Sequence, residues 1–185
     1  MRQKKLSRAE LASRVFDISY ITGDFKLRSG ATSQEYFDKY LFESDPLILY
    51  NIAIQLSMTM PERLFSEARF LAGLEMGGIP VATILSQVTG IPTLFVRKQA
   101  KSHGTNKLAE GQGFEAQKIV IVEDVVSSGG QIILSAHDLI KLGAIITDAI
   151  CVIDRESGGR EKLAEAGITL HSLFTMTELK KTQSS

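Results

Sequence analysis

One short segment, IVIVEDVVSSGGQ at residues 119–131, combines chemical groups with opposite preferences for charge. An apolar run leads into two acids, Glu123 and Asp124, and a Ser-Ser-Gly-Gly turn follows at 127–130. Backbone N–H groups and hydroxyls in such a turn bind phosphate, and glycine permits close approach. Carboxylates repel phosphate but accept hydrogen bonds from vicinal hydroxyls or bind a metal held by them. A ribose 5-phosphate satisfies both halves, with the acids facing the sugar and the turn facing the phosphate.

The same segment excludes two common nucleotide-binding loops. It lacks the lysine of the GxxxxGK[ST] loop and the glycine spacing of the Rossmann fingerprint. An acidic strand end followed by a helix N-cap is the simpler alternative. That alternative explains the two acids alone, but it does not explain the whole unit.

Strand patterns and helix patterns alternate along most of the chain. The predicted strands are ARFLAG, PTLFVRK, KIVIVED, AIITDAICVIDR and ITLHSLFTM, and the predicted helices between them are GGIPVATILSQVTG, GGQIILSAHDLIKLG and GGREKLAEAG. This alternation predicts a parallel sheet covered on both faces, with ligands beyond the carboxyl ends of its strands. Functional residues are therefore expected in GLEMGG, RKQAKSHG, EDVVSSGGQ and DRESGG.

The first part of the chain has a different pattern. A helix is predicted over 7–20, with Ser7 as its N-cap and Glu10 completing a capping box. Two short strands joined by a turn are predicted in GDFKLRSGATSQEYFDKY, and a helix with Pro46 in its first turn follows.

Composition limits the classes of function. The 185 residues suit one domain, and a formal net charge of zero argues against a surface built for nucleic acid or an anionic membrane. The single cysteine, Cys151, lies in an apolar strand, where a small core residue is the simplest interpretation. A lone cysteine and the absence of a signal-peptide or transmembrane pattern predict a cytoplasmic protein.

The polar stretch 99–117 is long for a loop inside a compact domain. Together with the residues just before it, it contributes Lys98, Lys101 and His103. Two interpretations stay open at this point, a functional lid and a solvated surface hairpin.

The segment VIVEDVVSSGGQ resembles the phosphoribosyl pyrophosphate (PRPP) binding motif of type I phosphoribosyltransferases. Four segments in the expected order are similar to those of the orotate branch of that family: FKLRSGATSQEYFD, LAGLEMGGIPVA, FVRKQAKSHGTNKLAEG and VIDRESGG. The resemblance implies an α/β fold with a central, mostly parallel sheet flanked by helices, a small N-terminal hood and a mobile catalytic loop. It implies a single domain over 1–185, with the N-terminal helix and hood at about 1–45, the α/β core at about 46–175 and a tail at 176–185.

The resemblance also assigns PRPP contacts. The acids contact the ribose hydroxyls, although the first acid is Glu123 where aspartate is also common, and the turn holds the 5-phosphate. The residues assigned to PRPP are Arg97, Lys98, Lys101, His103, Glu123, Asp124, Val125, Val126, Ser127, Ser128, Gly129, Gly130 and Gln131. Arg97, Lys101 and His103 are the expected catalytic residues, because cations and a proton donor stabilise charge developing on the leaving pyrophosphate.

The turn after the first core strand is the expected pyrophosphate loop, formed by Glu75, Met76, Gly77 and Gly78. The resemblance implies a cis peptide bond between Glu75 and Met76. Some relatives carry a lysine in this turn where this chain has Gly77, so the corresponding cation must come from elsewhere. A plain turn before the next helix is the alternative.

Base recognition is assigned to Arg155, Ser127 and Arg28. Orotate carries a carboxylate, and a guanidinium is its natural bidentate partner. Arg28 replaces the lysine of many relatives. The alternative for Arg155 is an ion pair with Glu156 or Glu161.

These assignments imply transfer of ribose 5-phosphate from PRPP to orotate, giving orotidine 5′-monophosphate and pyrophosphate in de novo pyrimidine biosynthesis. Mg²⁺ is expected on the pyrophosphate near Glu123 and Asp124, without direct protein ligands. A homodimer with active sites shared across the interface is implied, with no nucleic-acid or membrane partner. The alternatives are transfer to another nucleobase and a non-catalytic PRPP-sensing or RNA-binding regulator on the same fold.

Overall fold

The computed structural model of the chain describes residues 4–26, 30, 32–98 and 108–184. Within these ranges no helix is long and apolar enough to span a membrane. The helices are α1 (Arg8–Ser19), α2 (Lys39–Ser44), α3 (Pro46–Thr59), α4 (Glu62–Glu67), α5 (Gly78–Thr89), α6 (Gly130–Lys141), α7 (Gly159–Glu165) and α8 (Met176–Lys181), followed by a 3-10 turn (Thr182–Ser184). The strands are β1 (Tyr20–Lys26), β2 (Thr32–Phe37), β3 (Phe70–Leu74), β4 (Thr93–Val96), β5 (Ala109–Glu110), β6 (Lys118–Val126), β7 (Ile145–Asp154) and β8 (Thr169–Thr175).

The main sheet has six strands in the order β5-β4-β3-β6-β7-β8. All neighbouring pairs are parallel except β4 and β5, which pair antiparallel. The predicted parallel sheet with helices on both faces is therefore confirmed. Because β3, β6 and β7 are neighbours, the loops that follow them meet at one edge of the sheet.

The central strand β6 contributes to a hydrophobic cluster on each face of the sheet. Val120 and Val122 belong to the cluster formed with α3 and α5, whereas Ile119 and Ile121 belong to the cluster formed with α6. This division follows from the alternation of side chains along a strand. It continues to the end of β6, where the two acids of the predicted site follow.

The N-terminal elements pack beside this sheet. Ser7 Oγ accepts a hydrogen bond from the Glu10 backbone N–H at 3.2 Å, and Glu10 accepts one from the Ser7 N–H at 2.8 Å. The predicted capping box of α1 is thus confirmed. Strands β1 and β2 form an antiparallel hairpin, here called the hood hairpin, in which Tyr20 pairs with Phe37.

Four short elements were not predicted from the sequence. They are α2, which begins in the stretch interpreted as strands, α4, β5, which lies in the stretch interpreted as a loop, and α8, which lies in the stretch interpreted as a tail. Helix α8 has its own capping box between Thr175 and Glu178, and Arg8 of α1 contacts Glu178 at 3.1 Å. Elements of two to six residues are too short to show a clear periodicity.

Candidate active site

The Ser-Gly loop after β6 borders an open cavity of about 190 Å³ lined by Glu123 and residues 125–132. Helix α6 begins in this loop and has no side-chain cap among the described residues, which leaves its first N–H groups available to an anion. The loop packs closely on α7, because a Cβ at Gly159 would lie 2.4 Å from the Ser127 carbonyl oxygen. The loop therefore has the features required of a phosphate site and is held in place by its neighbour.

The two acids at the end of β6 have different surroundings. Glu123 borders the cavity beside α6. Asp124 is fully buried against the turn 75–78, where a Cβ at Gly77 would lie 1.5 Å from Asp124 Oδ2. Both acids were expected to face the sugar, but only Glu123 lines this cavity in the structure.

Asp124 is paired with a lysine from α2. Lys39 Nζ lies 2.5 Å from Asp124 Oδ2. Burial acts against the charged form of Asp124, but hydrogen bonds with Glu43, Glu123 and Lys39 outweigh it and lower the Asp124 pKa. Burial likewise acts against the Lys39 ammonium, yet its hydrogen bond and ion pair with Asp124 raise the Lys39 pKa. The pair is therefore a carboxylate and an ammonium at neutral pH.

The neighbouring glutamates behave differently. Burial, followed by a hydrogen bond with Asp124 and the charge of Asp124, raises the Glu43 pKa to about 9. The same causes raise the pKa of Glu123 well above its ordinary value. Glu43 Oε1 is buried and accepts no hydrogen bond from the residues that the structure describes. The raised pKa favours the neutral form of Glu43 beside the Asp124 carboxylate.

The turn 75–78 joins β3 to α5. The peptide bond between Glu75 and Met76 is cis, as predicted. The Glu75 N–H donates to the Val96 carbonyl at 2.8 Å, and the Glu75 side chain accepts from the Lys98 N–H at 2.6 Å. These two hydrogen bonds tie the turn to the end of β4.

The expected catalytic cations are only partly described. Arg97 Nε lies 3.8 Å from Glu110 Oε1, and the Lys98 side chain is exposed. Lys101, His103 and Arg28 lie outside the described residues.

A second cavity, also of about 190 Å³, lies between the hood hairpin and the end of β7. Its lining residues are Tyr20, Ser33, Glu35, Tyr36, Phe37, Arg155, Met176 and Lys180. The Arg155 N–H donates to the Val126 carbonyl at 2.8 Å, which fixes this residue beside the end of β6. A guanidinium among aromatic rings suits a planar anion.

The ion-pair alternative for Arg155 is not observed. No ion pair joins Arg155 to Glu156 or Glu161 in the part of the chain that the structure describes. The Glu156 side chain instead accepts a hydrogen bond from the Thr177 N–H at 2.8 Å.

Comparison with known proteins identifies the family. The family model of the phosphoribosyl transferase domain matches residues 49–172. The chain belongs to the phosphoribosyl transferase family. An orotate phosphoribosyltransferase of Nocardioides sp. is 40% identical over 171 residues, which cover 92% of this chain and 93% of that protein.

Solved structures of similar proteins show that the similarity of this phosphoribosyl transferase includes the fold. Mycobacterium tuberculosis orotate phosphoribosyltransferase in complex with inorganic phosphate has a TM-score of 0.81 at 26% identity, covering 94% of this chain and 98% of that one. The same enzyme in complex with PRPP has a TM-score of 0.76 at 25% identity, with the same coverage of both chains.

The structure of this phosphoribosyl transferase adds residues that the sequence did not indicate. Lys39 and Glu43 lie on the short helix α2 outside any recognised motif, and Met176 and Lys180 lie on the unpredicted α8. Their only sequence signal is the spacing of four residues within each pair, which places both members on one helix face.

Cys151, interpreted as a core residue, is fully buried, and burial raises its pKa well above the ordinary value. Of the two histidines outside the site, His171 Nε2 lies 2.8 Å from Asp148 Oδ1, and His137 is exposed on α6.

Proposed function

We propose that this chain is an orotate phosphoribosyltransferase, which transfers the ribose 5-phosphate of PRPP to orotate and releases orotidine 5′-monophosphate and pyrophosphate. The observation that carries the proposal is Arg155 in an aromatic-lined cavity directly beside the phosphate loop. Family membership and the name shared by similar proteins support the same reaction, a step of de novo pyrimidine biosynthesis.

The PRPP half of the site uses the end of β6. Residues 127–131 hold the 5-phosphate through backbone N–H groups and hydroxyls. Glu123 and Asp124 take the ribose end, Glu123 from the cavity and Asp124 from the buried cluster that it forms with Lys39. The turn 75–78 offers its backbone to the pyrophosphate. Arg97, Lys98, Lys101 and His103 balance the charge that develops on the leaving group.

Mg²⁺ is the proposed cofactor, and the donor set suits it. The Glu123 carboxyl borders the cavity, so an ion carried by PRPP would lie near a carboxyl oxygen without direct protein ligation. No group of three or more His, Cys, Asp or Glu side chains in the described ranges could hold a metal ion by itself. We expect the pyrophosphate oxygens to hold the ion near Glu123 and Asp124, where it would supply positive charge to the leaving group.

The acceptor half of the site uses the end of β7. Arg155 binds the orotate carboxylate in a bidentate manner, and Tyr36 and Phe37 cover the ring. Ser127 and Arg28 complete the proposed base contacts. Residue positions and charge account for the reaction without a covalent intermediate, because holding two reactants in line removes much of the entropic barrier.

The proposal extends to assembly and location. We place the enzyme in the cytoplasm as a homodimer with shared active sites, and as a single domain with the boundaries predicted above. Light scattering measures the oligomer. Mixing inactive Lys101→Ala and Arg155→Ala proteins should restore part of the activity if each site draws residues from both subunits.

An acceptor assay tests the reaction. Purified protein is incubated with PRPP and Mg²⁺ and with orotate, uracil, adenine or hypoxanthine, and nucleotide and pyrophosphate are measured. Turnover with orotate alone is expected. Arg155→Ala should abolish most of it, Arg155→Lys should restore little because lysine lacks the bidentate fork, and Arg69→Ala at the exposed amino end of β3 should have no effect. Turnover of another base would reassign the acceptor, and PRPP binding without any turnover would favour a regulator.

A further inference from the structure

Lys39 places an ammonium group between the turn 75–78 and the end of β6. It is the first residue of α2, and its Nζ lies 2.5 Å from Asp124 Oδ2. The Lys39 side chain is 33% exposed, whereas the Asp124 side chain is fully buried. The ammonium therefore has one side fixed on the carboxylate, and its side chain is still open to solvent. Of its three N–H donors, one serves Asp124 and others remain for a ligand.

Gly77 explains why a cation from another element is needed here. A Cβ at Gly77 would lie 1.5 Å from Asp124 Oδ2 and 2.7 Å from Glu43 Oε1. No side chain fits at this position unless Asp124 moves, so this position of the turn cannot carry a cation of its own. The oxygen that excludes a side chain at Gly77 is the one that binds Lys39, which brings the ammonium directly beside the turn.

Lys39 adds a cation to those expected after β4. Arg97 Nε lies 3.8 Å from Glu110 Oε1 of β5, and the Lys98 backbone N–H donates to the Glu75 side chain. A pyrophosphate group bears several negative charges, and backbone N–H groups alone balance them poorly. Lys39 provides an ammonium group for this purpose, because its ion pair with the buried Asp124 carboxylate holds it beside the turn.

We infer that Lys39 binds the pyrophosphate group of PRPP, held in place by Asp124 and acting in the position where Gly77 cannot carry a side chain. The inference rests on the proposed function for the identity of its ligand. It gives Asp124 a second task, which is to aim the Lys39 ammonium at the turn.

Calorimetric titration with magnesium pyrophosphate tests the inference directly, without orotate. Lys39→Met should weaken pyrophosphate binding by about tenfold or more, and Lys39→Arg should restore most of it because the positive charge is kept. Lys118→Met is the matched control, because Lys118 also pairs with a carboxylate, Glu67, but at the opposite end of β6. That control should bind pyrophosphate as the wild-type protein does.

Steady-state kinetics separate binding from a general structural effect. In Lys39→Met the KM for PRPP should rise while the KM for orotate stays within about twofold. Unchanged pyrophosphate binding, or equal losses for PRPP and orotate, would overturn the inference. If Lys39→Met does not unfold cooperatively, Lys39→Gln carries the same test with a polar group still facing Asp124.

The two proposals fail in different ways. Wild-type protein that binds pyrophosphate through Lys39 but does not turn over orotate would remove the proposed function and keep this inference. If the wild-type protein turns over orotate but Lys39→Met binds pyrophosphate as well as the wild type does, the proposed function stands and this inference is wrong.

Discussion

Asp124 and Asp148 are both fully buried in the sheet, yet their surroundings differ completely. Asp148 on β7 accepts hydrogen bonds from Arg63 at 2.6 and 3.1 Å and from Thr147 at 2.8 Å, and lies 2.8 Å from His171 Nε2. Asp124 has one ammonium partner and two neighbouring carboxyl groups. A carboxylate surrounded by donors stabilises the fold, whereas one crowded by other acids beside an open loop is typical of a binding site.

The pKa values express the same contrast. Burial alone would raise the Asp148 pKa, but hydrogen bonds from Arg63, His171 and Thr147 lower it to about 2. Around Asp124, burial and the neighbouring Asp124 carboxylate instead raise the Glu43 pKa to about 9. The comparison therefore predicts that replacing Asp124 affects catalysis and that replacing Asp148 affects stability.

Asp124→Asn should have the largest effect on activity. It removes the charge that holds Lys39 beside the turn and that faces the ribose end, so turnover of PRPP and orotate should fall by about 100-fold, or about 2.7 kcal/mol of transition-state stabilisation. The free energy of unfolding should fall by less than in Asp148→Asn, because loss of the Lys39 ion pair is offset by relief of the repulsion from Glu43 and Glu123. Turnover within a few-fold of the wild-type rate would contradict the assignment of Asp124 to the active site.

Asp148→Asn should show the opposite pattern. Loss of the carboxylate weakens hydrogen bonds to Arg63, Thr147 and His171 at once, so the free energy of unfolding should fall by about 2–3 kcal/mol. Urea denaturation measures the loss, and turnover of the folded protein should be unchanged. Asp138→Asn on the exposed face of α6 is the control and should cost less than about 0.5 kcal/mol.

Acid titration tests the contribution of Asp148 to the stability of the fold. Because the folded pKa of Asp148 is about 2 and its ordinary value is 3.8, its stabilising contribution is present above about pH 4 and is lost as pH falls towards 2. The loss should reach about 2 kcal/mol. Urea midpoints measured between pH 5 and pH 2 should show this component in the wild-type protein, and Asp148→Asn should lack it. Parallel curves for the two proteins would contradict the assignment.

The sequence allowed most of the sheet and the phosphate loop to be predicted, because long β-branched strands and a Ser-Gly turn have strong local signals. Strand alternation from Ile121 and Val122 would also have predicted different surroundings for Glu123 and Asp124. Lys39 could not have been predicted. Its partner is distant in the sequence, and only tertiary packing brings α2 to the end of β6.

Glu43→Gln tests the protonation of the acids around Asp124 and should have the smallest effect of these variants. Because the folded Glu43 pKa is raised from 4.5 to about 9, its contribution to stability is complete below about pH 4.5 and is lost as pH rises through 9. Glutamine can donate a hydrogen bond to Asp124 without taking up a proton, so the variant should be more stable than wild type at pH 8. The expected difference is only about 1 kcal/mol, because Glu43, Glu123 and Asp124 titrate as a coupled group. At pH 5 the advantage should disappear. Urea denaturation across pH 5–9 measures the difference, and a constant offset between the two proteins would mean that Glu43 does not hold the proton that joins it to Asp124.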